Sequence, residues 1–143
     1  MYTLYACLNI NKMLKINPDT WVVKVFDTGL GGTLAHLTCD QYIRLTDLYY
    51  GLMLPSGNDA ASILASYYGS WLVRAVNQNG PPKVSRKDAL DCNSNHSKLF
   101  SKKFIQYLNK VVVKEILNHK YTKFENPHGL SDKNQVSNAQ ELA

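Results

Sequence analysis

What this sequence lacks narrows its class before its motifs do. Its three cysteines, Cys7, Cys39 and Cys92, include no CxxC pair, which argues against both a disulfide framework and a structural zinc site. No apolar run reaches the roughly 18 residues a membrane-crossing helix requires. Asn9, Asn11, Lys12 and Lys15 interrupt the best stretch near the start. MYTLYACLNINKMLK also makes a poor secretory leader, because its basic residues follow the apolar run and no small-residue cleavage site comes after it. Charge is sparse: 16 Lys and Arg against 11 Asp and Glu give a net +5, too modest to imply a nucleic-acid partner by itself. His36, His96 and His119 share no metal-ligand spacing. They read as surface or loop residues, and neither metal nor cofactor is expected.

What is present is material for a core. At 45% hydrophobic and 19% charged residues, the chain excludes disorder throughout. Its 143 residues amount to one domain or a piece of one. Residues 2–16 predict a helix apolar on more than one face, which needs neighbours to bury it. Trp21 to Phe26 has strand character, with a second weak strand at Thr33 to Leu37. Asp40 is positioned to cap a short helix through Tyr42, Ile43 and Leu45, and Thr46 and Asp47 open the next, through Leu48 to Leu54. Pro55, Ser56 and Gly57 then break the chain before a helix led by Asn58 and Asp59. The stretch 80–103 carries Pro81, Pro82 and six basic residues against two acidic ones, and predicts an exposed basic loop or insertion. It lacks the interleaved aromatics of single-strand binders, so no nucleic acid is expected there. From Phe104 the spacing Ile105, Leu108, Val112, Ile116 is helical again. Asn95-His96-Ser97 fits a glycosylation sequon, meaningful only in a secreted eukaryotic chain.

Ser56-Gly57-Asn58 alone is an ordinary turn tripeptide. Its surroundings are more specific. TDLYYGLMLPSGNDAASILA, Thr46 to Ala65, resembles the SxN region of the D-alanyl-D-alanine carboxypeptidases, the low-molecular-weight penicillin-binding proteins of peptidase family S11. NPHGLSD, Asn126 to Asp132, resembles the family's N-x-HGL-x-D segment, and SNAQELA, Ser137 to Ala143, stands where the family has STA-x-DLA. Asn138 and Glu141 replace that motif's Thr and Asp, so altered capping and charge contacts are expected there. Met1-Tyr2-Thr3-Leu4 resembles the stretch directly after the catalytic SxxK. In that register the chain begins one residue after the catalytic lysine, and a lysine before Met1, with a serine three residues earlier, is expected upstream.

The resemblance implies an α/β fold of the serine β-lactamase and transpeptidase type, of which residues 1–143 supply mainly the helical lobe with a few short strands. It implies acyl-enzyme hydrolysis of the terminal D-Ala of peptidoglycan peptides, penicillin binding, and a location on the secreted, periplasmic or cell-wall side. Such chemistry needs a nucleophile with a base in reach and donors aimed at the oxyanion. In the SxxK, SxN, KTG arrangement, the resemblance makes Ser56 the group passing a proton toward the leaving amine and Asn58 the amide holding the substrate backbone. Neither SxxK nor KTG occurs in the 143 residues, so the chain as given is expected to be inactive and, without the family's main sheet, to fold poorly. His128 is expected to pack its loop rather than act as acid or base. The rival expectation is a non-catalytic remnant or binding protein that keeps the helical lobe.

Overall fold

The computed structural model describes residues 1–77 and 94–142. Helix α1 spans Tyr2–Leu14 and ends at Lys15, whose φ of 55° turns the chain so that the Ile16 amide bonds back to the Asn11 carbonyl at 3.0 Å. One side of α1 is sealed, with Ala6, Cys7 and Ile10 fully buried. The other carries Met1, Tyr5 and Leu8, exposed at one-turn spacing. The expected helix with too much apolar surface is therefore present, covered on one side only.

Strands β1 (Val22–Lys24) and β2 (Tyr42–Arg44) pair antiparallel, Val23 opposite Ile43. This corrects the short helix expected from Asp40. Asp40 instead adopts a left-handed φ of 66°, and its amide bonds to the Val25 carbonyl at 2.9 Å while Lys24 reaches its carboxylate at 2.9 Å. Tyr42 and Ile43, aromatic and β-branched, suit the pleat this turn creates. The second strand expected at Thr33–Leu37 does not form, because those backbone groups bond to the start of α3 rather than to a ladder.

Helix α2 (Leu45–Met53) follows β2 directly, with Asp47 in its first turn clasping Arg44 through Nε at 2.8 Å and Nη2 at 3.1 Å. Helix α3 (Asn58–Asn77) crosses α4 (Ser94–Tyr107) with almost no gap: a Cβ on Gly69 would stand 1.8 Å from the Phe100 carbonyl oxygen. Only glycine allows that approach. Of the basic stretch 80–103, residues 80–93, including Cys92, lie outside the described residues. From Ser94 it is helix, a correction to the loop reading. Lys98 and Lys102 on one face and Phe104 on the other make that segment amphipathic. Helix α4 continues into a wider coil over Leu108–Ile116, closed by the Leu117 amide bonding to the Val112 carbonyl five residues back at 3.0 Å. Leu108, Val112 and Val113 stay buried through it. A bridge between Lys123 and Val136 and the short helix α5 (Ala139–Leu142) complete the described chain.

Three helices meet at a buried polar triangle. Asn11 of α1 donates to the Tyr49 hydroxyl at 2.8 Å, Tyr68 donates to Asn11 Oδ1 at 2.6 Å, and the Tyr49 and Tyr68 hydroxyls share the third side. Burial pushes both phenols above their ordinary pKa, keeping them neutral donors. Around the triangle, Leu45, Leu48, Ile63, Leu64, Phe104 and Leu108 form the apolar core. The protein is mainly helical with two short strands, as the expected helical lobe requires. Among the described residues no helix is long and apolar enough to cross a membrane.

Candidate functional site

The knuckle Pro55-Ser56-Gly57 lies between α2 and α3 and is held from three directions. The Gly57 amide bonds to the Gly51 carbonyl at 3.1 Å, and a Cβ on Gly57 would fall 2.6 Å from that oxygen and 2.9 Å from the Ala35 nitrogen. The Asn58 amide bonds to the Thr33 carbonyl at 2.9 Å. Asp59, at the head of α3, accepts the Ala35 amide at 2.8 Å and its own neighbour Ala60 at 2.9 Å on one oxygen, and Leu37 at 3.2 Å on the other. This clamp drives Ser56 into a left-handed φ of 55°, a conformation non-glycine residues adopt only when their surroundings impose it. Ser56 is left exposed.

The Ser56 side chain opens on a cavity of about 220 Å³ whose opposite walls are the first residues of α1, Met1 to Thr3, and the loop Asn126 to Gly129. Segments far apart in sequence thus share one pocket. The Thr3 hydroxyl donates to the Pro127 carbonyl, fixing that loop against α1. Asn126 staples the loop internally, accepting the Gly129 amide at 2.7 Å and donating to the Leu130 carbonyl at 2.8 Å. Gly129 meets the turn's φ of 80°. His128 is half-buried, accepts the Leu130 amide through Nδ1 at 3.3 Å, and has its pKa lowered by burial. Burial thus favours its neutral form.

Asn58 is placed differently from Ser56. It is buried, and its Nδ2 donates to the Gly31 carbonyl at 2.9 Å rather than lining the cavity. No lysine lines the cavity, and the imidazole it holds is that of His128. Among the described residues no cluster of His, Cys, Asp or Glu could hold a metal ion. Cys7 is buried, its thiol raised well above the ordinary range by desolvation, and Cys39 is exposed.

The residues missed in sequence are those that brace the site. Asp59 read only as a residue at the head of its helix, and Asn126 only as the start of the NPHGLSD segment. In the last motif, Asn138 accepts the Glu141 amide at 2.9 Å and so caps α5. Desolvation opposes ionisation of Glu141, yet the Thr122 hydroxyl and the amides of Tyr121, Lys120 and Thr122 outweigh it and pull its pKa down to about 2. Capping and charge contacts are therefore both in place with the substituted residues.

This helical lobe, with its clamped polar knuckle, has the fold of solved DD-transpeptidase and D-alanyl-D-alanine carboxypeptidase structures. Three solved structures carry the comparison. The chain aligns over 99% of its length with 46% of the Streptomyces K15 DD-transpeptidase, at a TM-score of 0.68 and 22% identity. It aligns over 99% of its length with 28% of the D-alanyl-D-alanine carboxypeptidase DacD from Francisella tularensis, at 0.68 and 19%. With penicillin binding protein 5 from Haemophilus influenzae the figures are 99% of this chain, 34% of the other, 0.60 and 21%. At these identities the likeness is one of fold, and the chain spans less than half the length of each structure. No family model and no curated protein sequence matches it.

Proposed function

We propose that this chain is the helical lobe of a serine-type D-Ala-D-Ala carboxypeptidase domain of the S11 kind, in which Ser56 and Asn58 act as the auxiliary SxN pair on peptidoglycan peptides and β-lactams. The observation that carries this reading is the shared cavity: Ser56 faces the first turn of α1, the point where the sequence resemblance sets the missing SxxK one residue away. A serine and lysine arriving there would find a hydroxyl ready to relay a proton and a buried amide one helix turn's start away. The basic stretch 80–103, whose last residues from Ser94 open α4, is then an insertion relative to the family pattern.

Gel labelling with a fluorescent penicillin tests the assignment. The 143-residue chain is expected to form no covalent adduct, because no lysine lines the Ser56 cavity. Joined to sequence carrying SxxK and KTG, it acylates, and Ser56→Ala slows acylation by about a hundredfold, the size of a lost proton-transfer group. Asn58→Ala weakens both acylation and turnover by removing a positioned amide. Labelling of the 143-residue chain at a serine, or full-speed acylation by Ser56→Ala, overturns the assignment.

A second reading, a binding protein that retains the lobe without catalysis, draws on one observation. The Asn58 amide is already committed to Gly31. Its mark is measurable binding of a D-Ala-D-Ala peptide by the 143-residue chain with no turnover.

A further inference from the structure

Away from the Ser56 cavity, a second and larger cleft of about 610 Å³ runs between α3, the outer face of α4 and the loop after β1. That is within the range of roughly 300 to 1,000 Å³ typical of small-molecule sites. Five polar side chains line it without a hydrogen-bond or ion-pair partner among the described residues: Lys98, Lys102, Ser62, Ser101 and Gln106. Lys98 and Lys102 stand one helical turn apart, so their ammonium groups project along the same wall. Ser62 looks across from α3. The other charges at the cleft are already engaged, Lys123 with Glu125 at 2.5 Å and Asp27 with the Gly29 amide at 2.9 Å. Phe26 and Phe124 supply apolar surface, and Asn109 holds Phe124 in place through both of its backbone polar groups, at 2.7 and 2.9 Å.

We propose that this cleft binds a phosphate monoester carried on a sugar or polyol. The lining distinguishes phosphate from carboxylate. It has no arginine to meet a planar carboxylate with two parallel bonds. Two lysines act instead as point charges, with hydroxyls around them, which suits a dianion that accepts bonds in many directions. Ser62, Ser101 and Gln106 can both donate and accept, and so match the hydroxyls of the ligand's organic part. Phe26 and Phe124 offer the flat faces on which a sugar ring rests. The site is independent of the Ser56 reading and stands or falls separately.

The test is a titration of the full 143-residue chain, at low salt, followed by two-dimensional NMR, with inorganic phosphate, glycerol 3-phosphate, glucose 6-phosphate, glucose and acetate. The phosphate esters are expected to perturb the amides around Ser62, Ser101 and Gln106, inorganic phosphate more weakly, and glucose and acetate not at all. Lys98→Gln with Lys102→Gln weakens ester binding at least tenfold, and Lys98→Arg with Lys102→Arg retains part of it. Lys103→Gln, which removes the same charge one residue outside the cleft, leaves binding within twofold. All three positions are on the exposed helix surface, so folding is preserved, and circular dichroism of each variant checks it. Equal binding of acetate, unchanged affinity in the Lys98→Gln, Lys102→Gln chain, an equal loss in Lys103→Gln, or no perturbation by any phosphate overturns the proposal.

Discussion

Two regions of this small lobe stand in contrast. At the knuckle around Ser56, nearly every backbone group is spoken for: Gly51, Thr33, Ala35 and Leu37 all bond to residues 57–59, and the space at Gly57 admits no side-chain carbon. Along the outer side of α1, Tyr5 and Leu8 are each 43% exposed among the described residues. The lobe thus builds this knuckle from its own residues. Helix α1, in contrast, carries apolar surface that the described elements leave partly exposed. Position of the knuckle is a local property, whereas coverage of the helix is not.

The sharpest way to break the contrast is Gly57→Ala. Its new methyl would collide with backbone oxygen and nitrogen that cannot retreat, and the expected loss is about 3 kcal/mol, at the upper end for overpacked sites. Chemical denaturation of the variant against the parent measures it, and a loss under about 0.5 kcal/mol would show that the knuckle has slack.

Asp59→Ala comes next, at about 2 kcal/mol, because the amides of Ala35 and Leu37 lose a charged acceptor. Hydrogen exchange should quicken at residues 35 and 37 and spare those of α4. Uniform quickening over the whole chain would mean that Asp59 serves global stability and not the clamp.

Glu141 offers a smaller, pH-dependent effect. Its folded pKa of about 2 lies below the usual 4.5, so the stability it contributes is present above about pH 4.5 and is lost as pH falls toward 2. Melting temperature followed across that window should drop in the parent, and more shallowly in Glu141→Gln. Parallel curves for the two chains would remove Glu141 from the explanation.

The smallest effect is expected on the open stripe. Leu8→Gln changes the stability of the 143-residue chain by no more than about 0.5 kcal/mol, as for other surface positions, and lowers binding of an apolar dye. A loss of several kcal/mol would mean that Leu8 is covered after all.

Much of this was legible in residue order. The helix from Tyr2, the break at Pro55 to Gly57, the helix beyond Asn58 and the return of helical spacing at Ile105 follow from periodicity and punctuation, which are local. Ser56 and Asn58 were picked out by their neighbours in sequence. The structure then separated them, one at the cavity and the other buried against Gly31. Tyr42 to Arg44 misled because its strand depends on a partner twenty residues earlier and on the left-handed turn at Asp40. Thr33 to Leu37 misled for the converse reason: its amides found a carboxylate before they found a strand.

The sequence by itself determined where helices start and stop and which residue types cluster near Ser56, because capping, glycine and proline effects and apolar spacing act within a few residues. Tertiary structure alone decided that Met1 to Thr3, Ser56 and Asn126 to Gly129 wall a single cavity and that Gly69 admits the Phe100 carbonyl. It also decided that Lys98 and Lys102 look across a cleft at Ser62. Those are meetings of segments many residues apart, fixed by close packing and by the need of each buried polar group for a partner.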